Sequence, residues 1–288
     1  MPGARRAAVR PLELPGPSQG ARAEGDQVAG IVREMSRPVP PQVIPRPATW
    51  RPGASALWAA APATRRTGID LARVRGALDA LGQRGPVPDD VGGDAMFRGA
   101  TIVSESELSP TNHVNAGVLA ALFEEDGEAR VILTRRSSRL RTHKGEVSFP
   151  GGRVNEGEEA AAAARREAHE EVDLDPDLVT MEGWLHPVTT LASPALIVPV
   201  IATLPQRPQL AASLAEVERV FDVTLAELAD PSIFHEERWQ VPGRIIPGSP
   251  DNSFAVRFFE VSGELIWGAT ARMLSELLSI VVTGETGL

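Results

Sequence analysis

The stretch from Glu159 to Val172 constrains this chain more than any other part of it. Ala160 to Ala164 are the strongest helix formers available, and Pro176 ends any continuation. A helix is therefore expected over about Glu159 to Val172. At about 100° per residue, Glu167, Glu170 and Glu171 occupy an arc of roughly 100°. Ala161, Ala164, Ala168 and Val172 fall on an adjoining arc that can pack on a sheet. Three carboxylates then sit together beside a buried face. Like charges that close repel in a partly desolvated site, and a hard divalent cation such as Mg²⁺ or Mn²⁺ offsets that repulsion. The plain competing reading is a solvated acidic helix with Arg165 and Arg166 as salt-bridge partners.

Composition narrows the chemistry. The chain has 288 residues and no cysteine, which excludes disulfides, thiolate metal sites and a cysteine nucleophile. Its formal net charge is -9, which disfavours a broad nucleic-acid surface. No run approaches the roughly 18 apolar residues of a membrane span. Met1 to Arg10 is rich in arginine but lacks the apolar core of a secretory signal. Arginine dominates throughout, and Lys144 is the sole lysine. A bacterial cytoplasmic setting is the expectation, and a homodimer is left open.

Residues 1–62 are rich in Pro, Gly, Ala and Arg and read as a disordered or loosely attached extension. Residues 63–115 form a lead-in of helix and loop, with an amphipathic pattern at Ile69, Leu71, Val74, Leu78 and Leu81. Regular structure is expected over 116–288. Ala116 to Phe123 and Arg130 to Thr134 read as strands joined by a hairpin at Asp126-Gly127. Leu196 to Leu204 and Phe254 to Val261 read as further strands, and Thr270 to Val282 as a closing amphipathic helix. Irregular alternation of strands and helices predicts an α+β domain around one sheet.

Residues upstream of the acidic helix tip the balance away from a merely solvated face. Gly151-Gly152 lets backbone approach a ligand without a side-chain clash. Glu158 is spaced to fold onto the helix and pair with Arg166. Gly152, Glu158, Arg166, Glu167, Ala168, Glu170, Glu171 and Leu174 together resemble the signature of the Nudix hydrolases. Asp173 stands where that signature has a glycine, and Asp tolerates the left-handed conformation required there. The resemblance implies an α/β/α sandwich with a mixed central sheet and a loop-helix-loop catalytic motif. It also implies Glu167, Glu170 and Glu171 as ligands of Mg²⁺ or Mn²⁺, joined by the carbonyl of Gly151. Arg166 and Glu158 belong to the same catalytic motif. Glu167 is the candidate for taking the proton of the attacking water.

A basic loop precedes that helix. Thr134, Arg136, Ser137, Arg141, Gly145 and Phe149 to Gly152 resemble the element that marks the coenzyme A pyrophosphatase branch of the family. That likeness implies a nucleotide-type substrate, coenzyme A or acyl-coenzyme A, cut to 3′,5′-ADP and 4′-phosphopantetheine or its acyl form. Arg136, Arg141 and His143 are the candidates for holding substrate phosphates, since arginine suits bidentate phosphate contacts. Others of the loop's cations are expected to brace the fold or face solvent. Glu216-Val217 resembles a later element of the branch, with Glu216 as an extra metal ligand, a proton acceptor or an ordinary surface carboxylate. Trp267 opens the last matching segment and is read first as a core residue. The alternatives are hydrolysis of another nucleoside diphosphate derivative, such as ADP-ribose or NADH, and a non-catalytic nucleotide sensor of the same fold.

Overall fold

The computed structural model describes residues 42–87, 114–189, 196–240, 246, 249–261 and 263–287. The elements before the acidic helix are β1 (Trp50–Pro52), α1 (Ala63–Arg66), α2 (Leu71–Ala80), β2 (Val114–Glu125), β3 (Glu128–Arg136), β4 (Val147–Ser148) and β5 (Gly151–Arg153). The acidic helix is α3 (Ala160–Val172), followed by β6 (Thr180–Trp184), β7 (Val188–Thr189), β8 (Leu196–Thr203) and β9 (Val217–Thr224). The chain closes through α4 (Leu225–Leu228), β10 (Phe234–Trp239), β11 (Phe254–Val261), β12 (Glu264–Trp267) and α5 (Gly268–Thr283).

The central sheet runs β4-β3-β2-β8-β6, with β5, β7 and β9 paired at its margins. It is mixed: β2 and β8 run parallel, while β2 and β3 form an antiparallel hairpin. Asp126 and Gly127 turn that hairpin with φ of 54° and 75°, the sign a tight two-residue turn demands. Side-chain alternation along β2 decides which layer each residue joins. Leu119, Ala121 and Phe123 pack with Ala160, Ala164, Ala168 and Val172 of α3. Ala120 and Leu122 join the opposite layer with Leu78 of α2 and Leu274, Leu277 and Leu278 of α5. This is an α/β/α sandwich, as expected.

A second sheet, β1-β10-β11-β12, is wholly antiparallel; the sequence reading holds its strand β11, over Phe254 to Val261, but places it in a single sheet. It also corrects the reading of residues 42–62 as loosely attached. From Gln42 onward the chain is built into this sheet. Trp50 to Pro52 pair with Trp239 to Glu237, and Arg46 pairs with buried Glu237 at 2.6 Å. Trp58 is 1% exposed and stacks on Phe259 at 5.9 Å. A proline-rich segment can do this because β1 is an edge strand, where a missing N–H is tolerated. The remainder of the proposed extension, 1–41, lies outside the described residues, as does much of the 63–115 lead-in.

Candidate active site

Helix α3 is seated by glycine. A Cβ built on Gly117, in β2, would fall well inside van der Waals contact with the carbonyl oxygen of Ala160. The first turn of α3 therefore lies directly on the strand. Short residues continue the contact: Ala163, Ala164 and Ala168 are fully buried, and Val172 with them. Ala161 is only partly buried. The helix stops at Asp173, whose φ of 56° is left-handed and whose N–H bonds back to Ala168 and His169. An aspartate thus serves where the family signature has glycine.

The loop before α3 is clasped to it by Arg166. Its Nε and Nη2 each donate to one oxygen of Glu158 at 2.9 Å, and Nη2 also donates to the Arg153 carbonyl at 2.9 Å. This bidentate pairing holds the Glu158 carboxyl down at about 2, with the N–H of Asn155 adding to the effect. The pair anticipated from the spacing of Glu158 and Arg166 is therefore formed.

The three helix carboxylates meet different surroundings. Glu171 is buried. Burial raises its carboxyl to about 7, against the lowering effects of the Gly151 N–H and Arg136 and with the repulsion of Glu216 and Glu167 adding to it. Gly151 N donates to its Oε2 at 3.2 Å, and Arg136 Nη1 lies 3.6 Å from Oε1. Glu167 accepts from Arg166 Nη1 at 2.8 Å, and Glu170 accepts from the same nitrogen at 3.3 Å. Glu170 is the outermost of the three, its side chain 57% exposed.

Among the described residues, no three acidic or histidine side chains converge as a group able to hold a metal ion. The expected three-carboxylate ligand set is thus not assembled. Arg166 engages Glu167 and Glu170, while Glu171 lies against Arg136. The donor set nonetheless fits a hard dication in kind. Its groups are carboxylates, their mutual repulsion is felt at the buried Glu171, and a cradle is cut for one of them. A Cβ on Gly152 would stand 2.7 Å from Oε1 of Glu167 and closer still to its other carboxyl atoms.

That cradle gives a sharp expectation for Gly152→Ala. Gly152 needs no left-handed backbone, and the atoms in the way belong to the flexible end of a side chain. Folding should persist, with an unchanged circular dichroism melt. Glu167 should be pushed off its position, and a misplacement of about 1 Å costs on the order of 10²-fold in turnover. Wild-type turnover in that variant would show that the position of Glu167 is unimportant.

The basic loop divides between site and scaffold. Arg136 reaches the carboxylate site, where its Nη1 approaches Glu171. Neighbouring Arg135 is buried and pairs with Glu264 at 2.5 Å, tying the central sheet to the second one. His143 is exposed, and its Nδ1 lies 2.9 Å from Glu146 Oε2. Arg141 is exposed. Glu216 is exposed too, and its charge reaches Glu171. Its loop is stapled to the end of α3: Ala211 N bonds to Val172 O at 3.0 Å and Ser213 N to Glu171 O at 2.8 Å, while Ser137 N bonds to Glu216 O at 2.7 Å. Trp267 packs in the second sheet, stacked on Phe258 at 6.5 Å. The sequence reading missed Gly117 and this staple. An isolated glycine inside a strand does signal close backbone approach; the staple has no short-range signal.

Residues 111–242 match the NUDIX domain family. Over 192 residues the chain is 34% identical to a Shigella flexneri protein named uncharacterized Nudix hydrolase NudL, covering 66% of this chain and 95% of that one. It is 38% identical over 175 residues to Nudix hydrolase 22, chloroplastic, and 39% over 176 residues to Nudix hydrolase 15, mitochondrial, both of Arabidopsis thaliana. These alignments cover 58% and 57% of this chain but only 55% and 58% of the plant proteins. Among the described residues, no helix is long and apolar enough to cross a membrane.

Proposed function

Because this chain belongs to the Nudix hydrolase family, we propose that it hydrolyses a diphosphate bond with a divalent metal, and that its substrate is coenzyme A or an acyl-coenzyme A. The observation that carries the reading is the approach of Arg136 to Glu171 at 3.6 Å. It joins the basic loop to the carboxylate helix, so cations suited to phosphates border the groups suited to a metal.

Glu167, Glu170 and Glu171 would hold Mg²⁺ or Mn²⁺, with the Gly151 carbonyl and Glu216 as further oxygen donors. The bound ion would draw charge from the diphosphate oxygens and acidify the attacking water. Glu167 takes the proton from that water. Water oxygen adds to one phosphorus, the bond from that phosphorus to the bridging oxygen breaks, and the two halves leave as 3′,5′-ADP and 4′-phosphopantetheine or its acyl form. Arg166 keeps the loop closed on α3 and orients Glu167. Arg136 offsets the negative charge that gathers when substrate and carboxylates face one another. Arg141 and His143 hold phosphate beyond the scissile pair.

Two arginine variants test the substrate assignment. One charge-assisted contact is worth on the order of 1.5–3 kcal/mol, about ten- to a hundred-fold in kcat/KM. Arg136→Ala should lower kcat/KM equally for coenzyme A and dephospho-coenzyme A, because Arg136 stands at the reacting end. Arg141→Ala should lower it more for coenzyme A, which carries the additional phosphate. Equal activity of both variants with the wild type on coenzyme A would remove the loop from substrate binding.

A further inference from the structure

Arg136 follows a residue that faces the other way. Successive residues of β3 point to opposite sides of the sheet. Arg136 approaches Glu171 of α3, while Arg135 is buried toward the second sheet. Arg135 Nη1 donates to Glu264 Oε2 at 2.5 Å, and Glu264 opens β12. Directly across the strand pair from Arg135 stands Arg219, whose Nη1 donates to the other Glu264 oxygen at 3.2 Å. Like charges facing one another across two strands repel, and buried Glu264 serves both as a shared counter-ion.

Two further features tie Arg135 to the basic loop. The ladder between β3 and β9 shifts register at this point: Arg135 pairs with Arg219 but Arg136 with Val217, which leaves Glu218 as an extra residue. A bulge of this kind bends its strand and re-aims side chains. The Glu218 carboxylate lies 3.6 Å from Arg135 Nε, and its other oxygen accepts from Ser138 Oγ at 3.5 Å. The second feature is the base of the loop. Gly145 has a left-handed φ of 67°, and a Cβ there would stand 3.4 Å from Arg135 Nη2, so the loop returns over the guanidinium. Its ends are joined by Arg136 N to Glu146 O at 2.9 Å and by Gly145 N to Arg136 O at 3.1 Å. Arg135 thus supports both ends of the segment that carries Arg141 and His143.

We propose that Arg135, held by Glu264 of the second sheet, is a positioning residue that aims Arg136 at the α3 carboxylates and seats the base of the basic loop. Arg135 and Glu264 are buried and act through Arg136 rather than on substrate. A guanidinium suits the task because its three nitrogens face Glu264, Glu218 and Gly145 separately, which the single ammonium of a lysine cannot do. The bearing of Arg135 on catalysis rests on the hydrolytic reading of the site, whereas the seating of the loop does not.

Two measurements on the full chain test this role. The first is amide hydrogen exchange in metal-free buffer, read at Arg136 and Gly145. In Glu264→Gln these two amides should exchange about tenfold faster, the effect of weakening one charge-assisted contact, while the β2–β3 hairpin keeps its wild-type protection. The second is a double-mutant cycle on kcat/KM for coenzyme A with Mg²⁺. Glu264→Gln alone should lower kcat/KM about tenfold. In an Arg136→Ala background the same change should have almost no further effect, because Glu264 works through Arg136. Should the single variant misfold, Arg135→Met combined with Glu264→Leu removes the pair without stranding a buried charge between them. That double variant should fold, with the same fast exchange at the loop and the same loss of kcat/KM. A purely structural pair would give exchange that is unchanged at the loop or faster throughout the sheet, and kcat/KM losses that add to those of Arg136→Ala; either result overturns the positioning role. A wild type that cleaves no diphosphate refutes the hydrolytic reading alone, and exchange then decides whether Arg135 seats the loop.

Discussion

Glu171→Gln is expected to lower turnover by roughly 10²- to 10³-fold, since about 3–4 kcal/mol of charge stabilisation at the reacting phosphates is at stake. The same substitution should not unfold the protein. Burial disfavours the charged Glu171 and raises it to about 7, and a neutral amide of equal size escapes that penalty. The contact with Gly151 N survives, because an amide oxygen also accepts a hydrogen bond. In metal-free buffer the melting temperature should equal or exceed that of the wild type. Metal affinity, read by calorimetry with Mn²⁺, should fall together with turnover. A folded variant with full turnover at low Mg²⁺ would remove Glu171 from the site.

The second large effect is on stability. Trp58→Ala should cost about 3–5 kcal/mol, the range for deleting a fully buried large aromatic side chain. Trp58 stacks on Phe259 and meets Phe234 edge-on at 5.3 Å, so its loss opens the core beneath the second sheet. Trp58→Phe should be much milder. It keeps an aromatic ring in place and removes an indole N–H that has no hydrogen-bond partner among the described residues. Deleting residues 42–62 goes further. It takes away Trp58, uncovers the edge of β10 and leaves buried Glu237 without Arg46, though Trp239 Nε1 still donates to it. Denaturant unfolding measures all three. A wild-type midpoint after that deletion would restore the picture of a loose extension.

The contrast between these two regions shows what the sequence could disclose. Helix α3, the Asp126-Gly127 hairpin and the Glu158–Arg166 clasp depend on neighbours a few residues apart, where spacing alone places side chains on one face. The second sheet depends on partners far apart in the chain. Arg46 and Glu237 are 191 residues apart, and nothing local around Trp50 announces a strand. Composition was a poor guide there, because proline tolerated on an edge strand looks like proline in a loose tail. The carboxylates were legible as a set, and so was Arg166, which reaches Glu170 four residues along the same helix. The approach of Arg136 to Glu171 joins distant parts of the chain, which helical periodicity does not contain. Gly117 matters because of what crosses it, which becomes visible only when α3 and β2 are placed together.

The most direct measurement is product analysis. Purified chain is incubated with Mg²⁺ or Mn²⁺ and, separately, coenzyme A, ADP-ribose and NADH, and the products are separated by chromatography and weighed by mass spectrometry. Metal-dependent release of 3′,5′-ADP and 4′-phosphopantetheine from coenzyme A, stopped by a chelator and lost in Glu171→Gln, is the predicted result. Cleavage of ADP-ribose or NADH in preference to coenzyme A would keep the site and contradict the substrate. Absence of cleavage of any of the three, by a folded chain supplied with either metal, would contradict the account of α3 as a catalytic helix.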